Sequence, residues 1–243
     1  MMDAKEKLRR DAIRAGYEKH VLPKFRDEIE KNKQEFKDLC QQYSTSERKS
    51  ALDKIFSFLE NRTDFFTAPS STIFHLNCPG GLCKHSINVF KTAKALCDRL
   101  LNVDFDNGIA QIERKYTDEN IAVAALFHDL CKVNLYYPEE KFTKNANGGW
   151  IKYLGWGIDD TLPMGHAEKS LYLLSCLIRL TPDEILAIRW HMGMFDMGEK
   201  GTPLRIAFYN ANDQCALVTI LQCADSYASR CLEPTYDLTN YLL

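Results

Sequence analysis

Four of the six histidines, together with two aspartates, lie in or beside stretches that should form buried helices. His128 is followed directly by Asp129 at the end of the most apolar predicted helix, and Asp225 ends an apolar stretch that begins at Cys215. An aspartate is almost never fully buried unless it is paired or coordinates a metal. Imidazole and carboxylate groups together suit zinc, iron, manganese and similar transition ions. The pattern therefore indicates a divalent metal site. Its further candidate ligands are His85, His166 and His191.

Each of these residues also has an ordinary structural interpretation. A single histidine on an apolar helix is usually a core residue with a satisfied hydrogen bond, and a helical aspartate can cap a neighbour or pair with an arginine. His166 could simply open its helix, and His191 follows a predicted helix C-terminus, where a charged imidazole is favoured. Taken singly, the structural interpretation is preferred for each residue. An ordered set on separate core helices instead favours a shared site.

The elements that must position these residues are mainly helices. Residues 5–43 are mostly charged, with apolar residues at helical spacing, and Pro23 should break this stretch. Ser44 and Glu47 have the spacing of a capping box and predict the start of the next helix. A loop is expected over 61–77. We expect a charged helical arm of this kind to pack on a domain or on a partner chain.

From Gly80 onwards the pattern predicts five helices and one β-hairpin. Thr181 and Glu184 form a capping box, with Pro182 at the first helical position. Asn147-Gly148-Gly149 separates two strand-like segments within 141–156, as in a hairpin inserted between helices. The five helices are predicted at 80–96, from about 117 to 130, at 165–180, from 182, and at 215–231.

Composition excludes several classes of protein. The chain of 243 residues is 45% hydrophobic and 26% charged, which is typical of a globular domain. The net charge of −2 predicts no binding to duplex nucleic acid or to an anionic membrane. The longest apolar run, 121–127, is too short for a bilayer span, and the N-terminus is charged, so we expect a cytoplasmic protein. Nine scattered cysteines without a Cys-x-x-Cys pair predict free buried thiols rather than a zinc–thiolate site.

The ordered set resembles the H…HD…D pattern of the HD-domain metal-dependent phosphohydrolase superfamily. The segment 80–89, GGLCKHSINV, is similar to the family's first-ligand helix, especially in branches related to HD-type exoribonucleases. The segment 125–132, ALFHDLCK, is similar to the "LLHDIGK" element, and 221–227, LQCADSY, is similar to the last-ligand helix. The similarity covers roughly 72–230. It implies an all-α fold, an HD-domain helical bundle, into which the hairpin indicated by the sequence pattern would be inserted at about 136–160.

His166 and His191 add two histidines in the middle of this pattern. They make the chain resemble the binuclear H…HD…H…H…D subgroup, which includes cyclic-nucleotide phosphodiesterases, HD-GYP proteins and dinucleoside polyphosphate hydrolases. The chain lacks the GYP element, which argues against cyclic dinucleotides. We recognise no family pattern in residues 1–70. We therefore predict an N-terminal helical extension over 1–70 and a catalytic domain over 71–243.

The resemblance implies a metal-dependent phosphohydrolase that uses a metal-bound hydroxide to attack phosphorus. His85, His128, Asp129 and Asp225 would hold one metal, while His166 and His191 would hold a second that Asp129 bridges. The ions would be two divalent transition metals from among iron, manganese, zinc, cobalt and nickel, with magnesium as a further candidate. Asp129 and Lys132 are the predicted catalytic residues, with Lys132 binding the substrate phosphate or orienting Asp129. The substrate would be a small phosphorylated molecule: a nucleotide, a dinucleotide or a short nucleic-acid end.

Further residues are candidates for supporting roles. The predicted hairpin carries basic and aromatic side chains that could stack on and pair with a nucleotide, although a solvated hairpin has the same composition. The two residues that flank the first ligand could touch phosphate, and the two that follow His166 could support the second metal. These candidates are Trp150, Lys152, His75 and Lys84 for substrate, and Glu168 and Lys169 for the metal.

Two other functions stay open from the sequence. Some HD-fold proteins hold a di-iron centre and use oxygen to break a carbon–phosphorus or carbon–carbon bond with the same ligands. A non-catalytic regulatory module with a structural metal is the other alternative, which a complete ligand set with Lys132 disfavours. The N-terminal helices could also mediate an oligomer.

Overall fold

Helices dominate the fold. The computed structural model describes residues 4–100, 116–196 and 202–240. The helices are α1 (Ala4–His20), α2 (Arg26–Gln42), α3 (Lys49–Arg62), α4 (Gly81–Leu100), α5 (Asp118–Phe127), α6 (His166–Ser175), α7 (Pro182–Trp190), α8 (Thr202–Gln214) and α9 (Ala216–Tyr227). The strands β1 (Tyr136–Lys144) and β2 (Trp150–Ile158) form an antiparallel hairpin. The predicted fold class, all-α with an inserted hairpin, is therefore confirmed.

The main core surrounds α5. This helix is apolar on nearly every face, and its residues from Glu119 to Phe127 are all buried. It packs against α4, α7, α9 and α2. Phe36 of α2 and Ile55 and Leu59 of α3 are completely buried in the same core. Because each large apolar side chain contributes roughly 1.5–3 kcal/mol when buried, the N-terminal helices add substantially to this core.

A second, smaller core lies between the first helix and the hairpin. The chain breaks at Pro23 as predicted, because α1 ends at His20 and a 3-10 segment covers Leu22–Phe25 before α2. Tyr17 of α1 packs edge-on against Trp156 of β2, with ring centroids 5.5 Å apart. The hairpin is thereby attached to the rest of the fold.

Local capping fixes the starts of two helices that lead to the candidate site. Thr117 and Asn120 form a capping box at α5, and Thr181 and Glu184 form the predicted one at α7. Each cap contributes about 1 kcal/mol. Among the described helices, none combines the length and apolar composition of a bilayer span.

Two expectations for local structure were wrong. Ser44 does not cap α3, which begins at Lys49; its hydroxyl donates to the Gln41 carbonyl oxygen at the end of α2 instead. The helix α8 was missed. Its exposed face carries Leu204, Ile206 and Tyr209, so its apolar residues do not form a clear stripe.

All nine cysteines lie among the described residues, and no disulfide joins any two of them. Six are buried as expected, whereas Cys176, Cys223 and Cys231 are exposed, which corrects the expectation that all of the thiols are buried.

Candidate metal centre

The six candidate ligands meet at the ends or on the inner faces of five helices. His85 lies in the second turn of α4, His128 and Asp129 follow α5, and the start of α6 supplies His166. His191 ends α7, and Asp225 belongs to α9. Gly81 allows α4 to begin where it does, because a Cβ there would lie 2.0 Å from the Leu76 carbonyl oxygen.

The first group of donors surrounds the Nε2 atom of His85. This atom lies 3.3 Å from His128 Nε2, 3.5 Å from Asp129 Oδ2 and 3.2 Å from Asp225 Oδ1. Donors this close can share one coordination sphere. The structure therefore brings together four residues that are remote in sequence.

A second group of donors faces the other oxygen of Asp129. His166 Nε2 lies 2.8 Å from Asp129 Oδ1, and His191 Nε2 lies 3.8 Å from the same oxygen. The two Asp129 oxygens thus point to different sets of histidines. A carboxylate in this position can join two metal ions.

The outer ring nitrogens hold the histidines in place. Nδ1 of His128 lies 2.8 Å from the Ala125 carbonyl oxygen, and Nδ1 of His191 lies 2.7 Å from the Ile188 carbonyl oxygen. Nδ1 of His85 lies 2.9 Å from Glu233 Oε2. Because these contacts hold each Nδ1 outwards, each Nε2 faces the centre, where a neutral ring would offer its lone pair to a metal.

Strong electrostatic coupling marks the centre. Burial alone would lower the pKa of His85, but the hydrogen bonds that its ring donates to Asp225 and Glu233 raise it to about 10. Burial would also lower the pKa of His166, but the hydrogen bond to Asp129 raises it to about 10. Burial, with the nearby imidazoles, lowers the pKa of His191 to about 3.

Both aspartates stay ionised despite burial. Burial would raise the pKa of Asp129, but Lys132 and His128 hold it well below its usual value. The pKa of Asp225 is also lowered against the effect of burial, mainly by the hydrogen bond from His85. Two buried carboxylates need compensating positive charge, which metal ions would supply.

Lys132 reaches back to the aspartate of the HD pair. It lies on the 3-10 turn Leu130–Lys132, and its Nζ is 2.6 Å from Asp129 Oδ2. Burial would lower the pKa of Lys132, but the Asp129 charge raises it. The ammonium group is therefore charged and fixed beside the site.

His75 lies next to the first ligand. Its ring centroid is 4.9 Å from that of His85, and its Nε2 is 3.9 Å from Glu233 Oε2. Burial, with the charges of His85 and Lys132, lowers the pKa of His75 to about 4. Lys84 is half-buried on α4, one residue before His85.

The structure does not bring the other predicted residues to the donors. Trp150 pairs with Lys144 at the tip of the hairpin, eight residues and roughly 25 Å along the strand from Tyr136 at its base. Lys152 pairs with Glu140 near that tip. Glu168 pairs with Arg189, and Lys169 pairs with Asp160.

Sequence reasoning missed two residues of the centre. Glu233 follows the last-ligand helix and contacts both His85 and Asn88 Nδ2, the latter at 3.0 Å. Cys131 places its Sγ 3.3 Å from His166 Nδ1. Cys131 lies within the segment 125–132, but its contact with His166, like that of Glu233 with His85, forms only when distant segments fold together.

The residues present fit divalent metal ions. His191 Nε2 is buried and has no hydrogen-bond partner, although it faces an ionised carboxylate. Among the residues that the structure describes, four groups of donor atoms lie close enough to hold an ion, and together they include all six predicted ligands. Neutral imidazole and carboxylate donors are the ligands of borderline transition ions.

Comparison with known families agrees with this geometry. The family model of the HD domain matches residues 82–230, which is more than half of the chain. The chain therefore belongs to the HD-domain family, a class of metal-dependent hydrolases. Searches among curated proteins and among solved structures found no match.

Proposed function

We propose that this protein is a metal-dependent phosphohydrolase with a binuclear site that acts on a phosphate ester. The observation that carries the proposal is the position of Asp129, whose two oxygens face two separate sets of histidines. Lys132 adds a fixed cation to the same carboxylate. A bridging carboxylate with an adjacent cation is suited to chemistry on a phosphate group.

The proposed ligands are divided between two metal positions. The first metal would be bound by His85, His128 and Asp225, and the second by His166 and His191. Asp129 would bind both. When bound, two such ions lower the pKa of a coordinated water towards about 7 and neutralise charge on phosphate oxygens.

The protein's own residues direct the substrate. His85, His128 and His191 are almost completely buried, whereas the side chains of His166 and Asp225 are 28% and 16% exposed, so a substrate would enter on their side. Lys132 would bind a phosphate oxygen or hold Asp129 in place. His75 is neutral at pH 7, because burial lowers its pKa, and its unpartnered Nε2 can donate to phosphate.

A cavity whose lining includes none of the proposed metal ligands would accept the rest of a nucleotide-like substrate. It has a volume of about 570 Å³ and lies between α1 and the base of the hairpin, where Tyr137, Trp156 and Arg14 contribute to its walls. Tyr136 also lines it. Burial and the charge of Asp129 raise the pKa of Tyr136, whereas the charge of Lys132 acts to lower it. Aromatic walls accept a base by stacking. We therefore propose a nucleotide, a dinucleotide or a short nucleic-acid end as substrate.

The experiment is a hydrolysis screen of the full chain. Phosphomonoesters, nucleotides, dinucleotides and short oligonucleotides are tested with manganese, iron, cobalt, nickel, zinc and magnesium. We expect phosphate ester hydrolysis that disappears in Asp129→Ala together with bound metal. Asp213→Ala, which removes an exposed carboxylate on α8, should leave both unchanged.

Two results would contradict the proposal. Equal turnover in the wild type and Asp129→Ala would show that the site is not the one proposed. Oxygen consumption by the iron-loaded protein without hydrolysis of any ester would indicate an oxygenase instead.

A further inference from the structure

The sulfur of Cys131 lies beside the donors of the second proposed metal position. Its Sγ is 3.3 Å from Nδ1 and 3.6 Å from Nε2 of His166. A hydrogen bond in line with Nδ1 would leave Nε2 about 5 Å away. The sulfur therefore lies alongside both ring nitrogens and is close to the nitrogen that faces Asp129.

The same three residues form a compact set of donors. The donor atoms of Asp129, Cys131 and His166 all lie within 4.8 Å of one another. This set shares Asp129 and His166 with the second position. A sulfur at this distance can enter the coordination sphere of an ion held by the other two residues.

An independent observation points to a ligand at this place. His191 is 1% exposed, and its Nε2 has no hydrogen-bond partner. This nitrogen lies 3.8 Å from Asp129 Oδ1, the oxygen that His166 also contacts. A buried imidazole nitrogen without a partner is costly unless something binds it.

The backbone holds Cys131 firmly. The residue is 3% exposed, and its backbone N–H donates to Ser170 Oγ at 2.9 Å. Ser170 belongs to α6, the helix that begins with His166. The turn that carries the thiol and the helix that carries the imidazole are therefore tied together.

We propose that Cys131 supplies a thiolate ligand to the second metal ion. This inference rests on the binuclear site of the proposed function. On binding, the S–H bond breaks, a sulfur–metal bond forms, and the proton leaves to solvent. A thiolate is a soft ligand, so the second position should favour zinc, iron or cobalt over magnesium, while the first has only nitrogen and oxygen donors.

The test is to load the full chain with cobalt and record its absorption spectrum and metal content. We expect about two cobalt ions per chain and a thiolate-to-cobalt charge-transfer band in the near ultraviolet. Cys131→Ser should abolish the band and weaken the second cobalt at least about 10-fold. Cys83→Ala, at a buried thiol in the main core, and Cys176→Ser, at an exposed thiol, should both retain the band.

X-ray absorption on the cobalt-loaded wild type provides a second measurement that does not depend on folding of the variant. A sulfur neighbour of cobalt, at about half of one sulfur per metal, supports the proposal. Two bound ions without a sulfur neighbour, or a band that survives in Cys131→Ser, would overturn the thiolate assignment but not the binuclear site. Fewer than two ions per chain would overturn both.

Discussion

Hydrogen-bond partners outside the ligand set orient three of the histidines of the candidate centre. His128 and His191 donate to carbonyl oxygens three residues earlier, a contact that follows from helix geometry alone. The His85 ring is instead oriented by its contact with Glu233, which lies 148 residues later in the chain. A carboxylate in this position fixes the ring and raises its basicity as a ligand.

Replacing Glu233 tests this positioning role. Glu233→Gln keeps the shape of the side chain but removes the charge that faces His85 Nδ1. We expect the affinity of the first metal position to fall about 10–100-fold while the fold is retained. Chelator competition measures the affinity, and circular dichroism measures the fold.

Glu47→Gln is the matched control, since Glu47 is exposed. It should bind metal like the wild type. Equal metal affinity in Glu233→Gln and the wild type would show that the Glu233 contact does not tune His85.

The predicted ligands could be found because each lies in a recognisable local pattern. His128-Asp129 follows an apolar helix, and Asp225 interrupts another. Glu233 lies outside every quoted motif, and although Cys131 lies inside one, its contact with His166 joins remote segments and could not be deduced from either segment. The tip residues Trp150 and Lys152 were proposed from composition, which does not show how far a hairpin extends from the site.

At the scale of elements, a buried ion pair ties the N-terminal helices to those that carry ligands. Arg48, just before α3, donates to both carboxylate oxygens of Glu184 on α7, at 2.6 and 3.0 Å. Asn120 of α5 donates to the same carboxylate at 2.9 Å. Glu184 is fully buried, so its charge depends on these donors.

Removing the arginine should therefore destabilise the whole helical bundle. Arg48→Ala leaves the Glu184 charge buried without its main partner, and such a loss costs about 3–5 kcal/mol. Urea unfolding measures this change in the free energy of unfolding. Arg14→Ala breaks the exposed pair with Glu18 and should cost less than about 1 kcal/mol. Similar values for the two variants would contradict the role of Arg48.

Elements with strong local chemistry were predicted well. Thr181-Pro182-Asp183-Glu184 starts α7 as expected, because the cap and the proline act within one turn. Ser44 has equally suitable spacing, but α2 uses its hydroxyl instead. The spacing of Ser44 and Glu47 does not show whether the Ser44 hydroxyl binds the end of α2 or the start of α3. Packing in the folded protein determines this choice.

At the scale of the molecule, the main core crosses the boundary predicted at residue 70. Phe36 of α2 is completely buried and packs against Phe65, Phe66 and Phe127, with centroid distances of 5.0, 5.9 and 5.5 Å. Phe127 directly precedes His128. The division into a helical extension over 1–70 and a catalytic domain over 71–243 stays a prediction, and side chains from both parts pack in one core.

Phe36→Ala tests this joint packing. Loss of a fully buried phenylalanine costs about 3–5 kcal/mol. Because Phe127 packs against Phe36 and directly precedes the HD pair, metal binding should also weaken. Thermal unfolding with and without metal measures both effects. Leu8→Ala, which changes a side chain that is 71% exposed, should stay within about 0.5 kcal/mol of the wild type. A Phe36→Ala protein as stable as the wild type would contradict a shared core.

The central claim is that six side chains hold two metal ions through Asp129, and the number of ions per chain tests it most directly. Anaerobically loaded wild type, analysed by mass spectrometry of the elements, should contain about two ions per chain. A variant with both His166→Gln and His191→Gln should retain about one, since His85, His128 and Asp225 remain. A wild type without bound metal, or a variant with the same content as the wild type, would contradict the account.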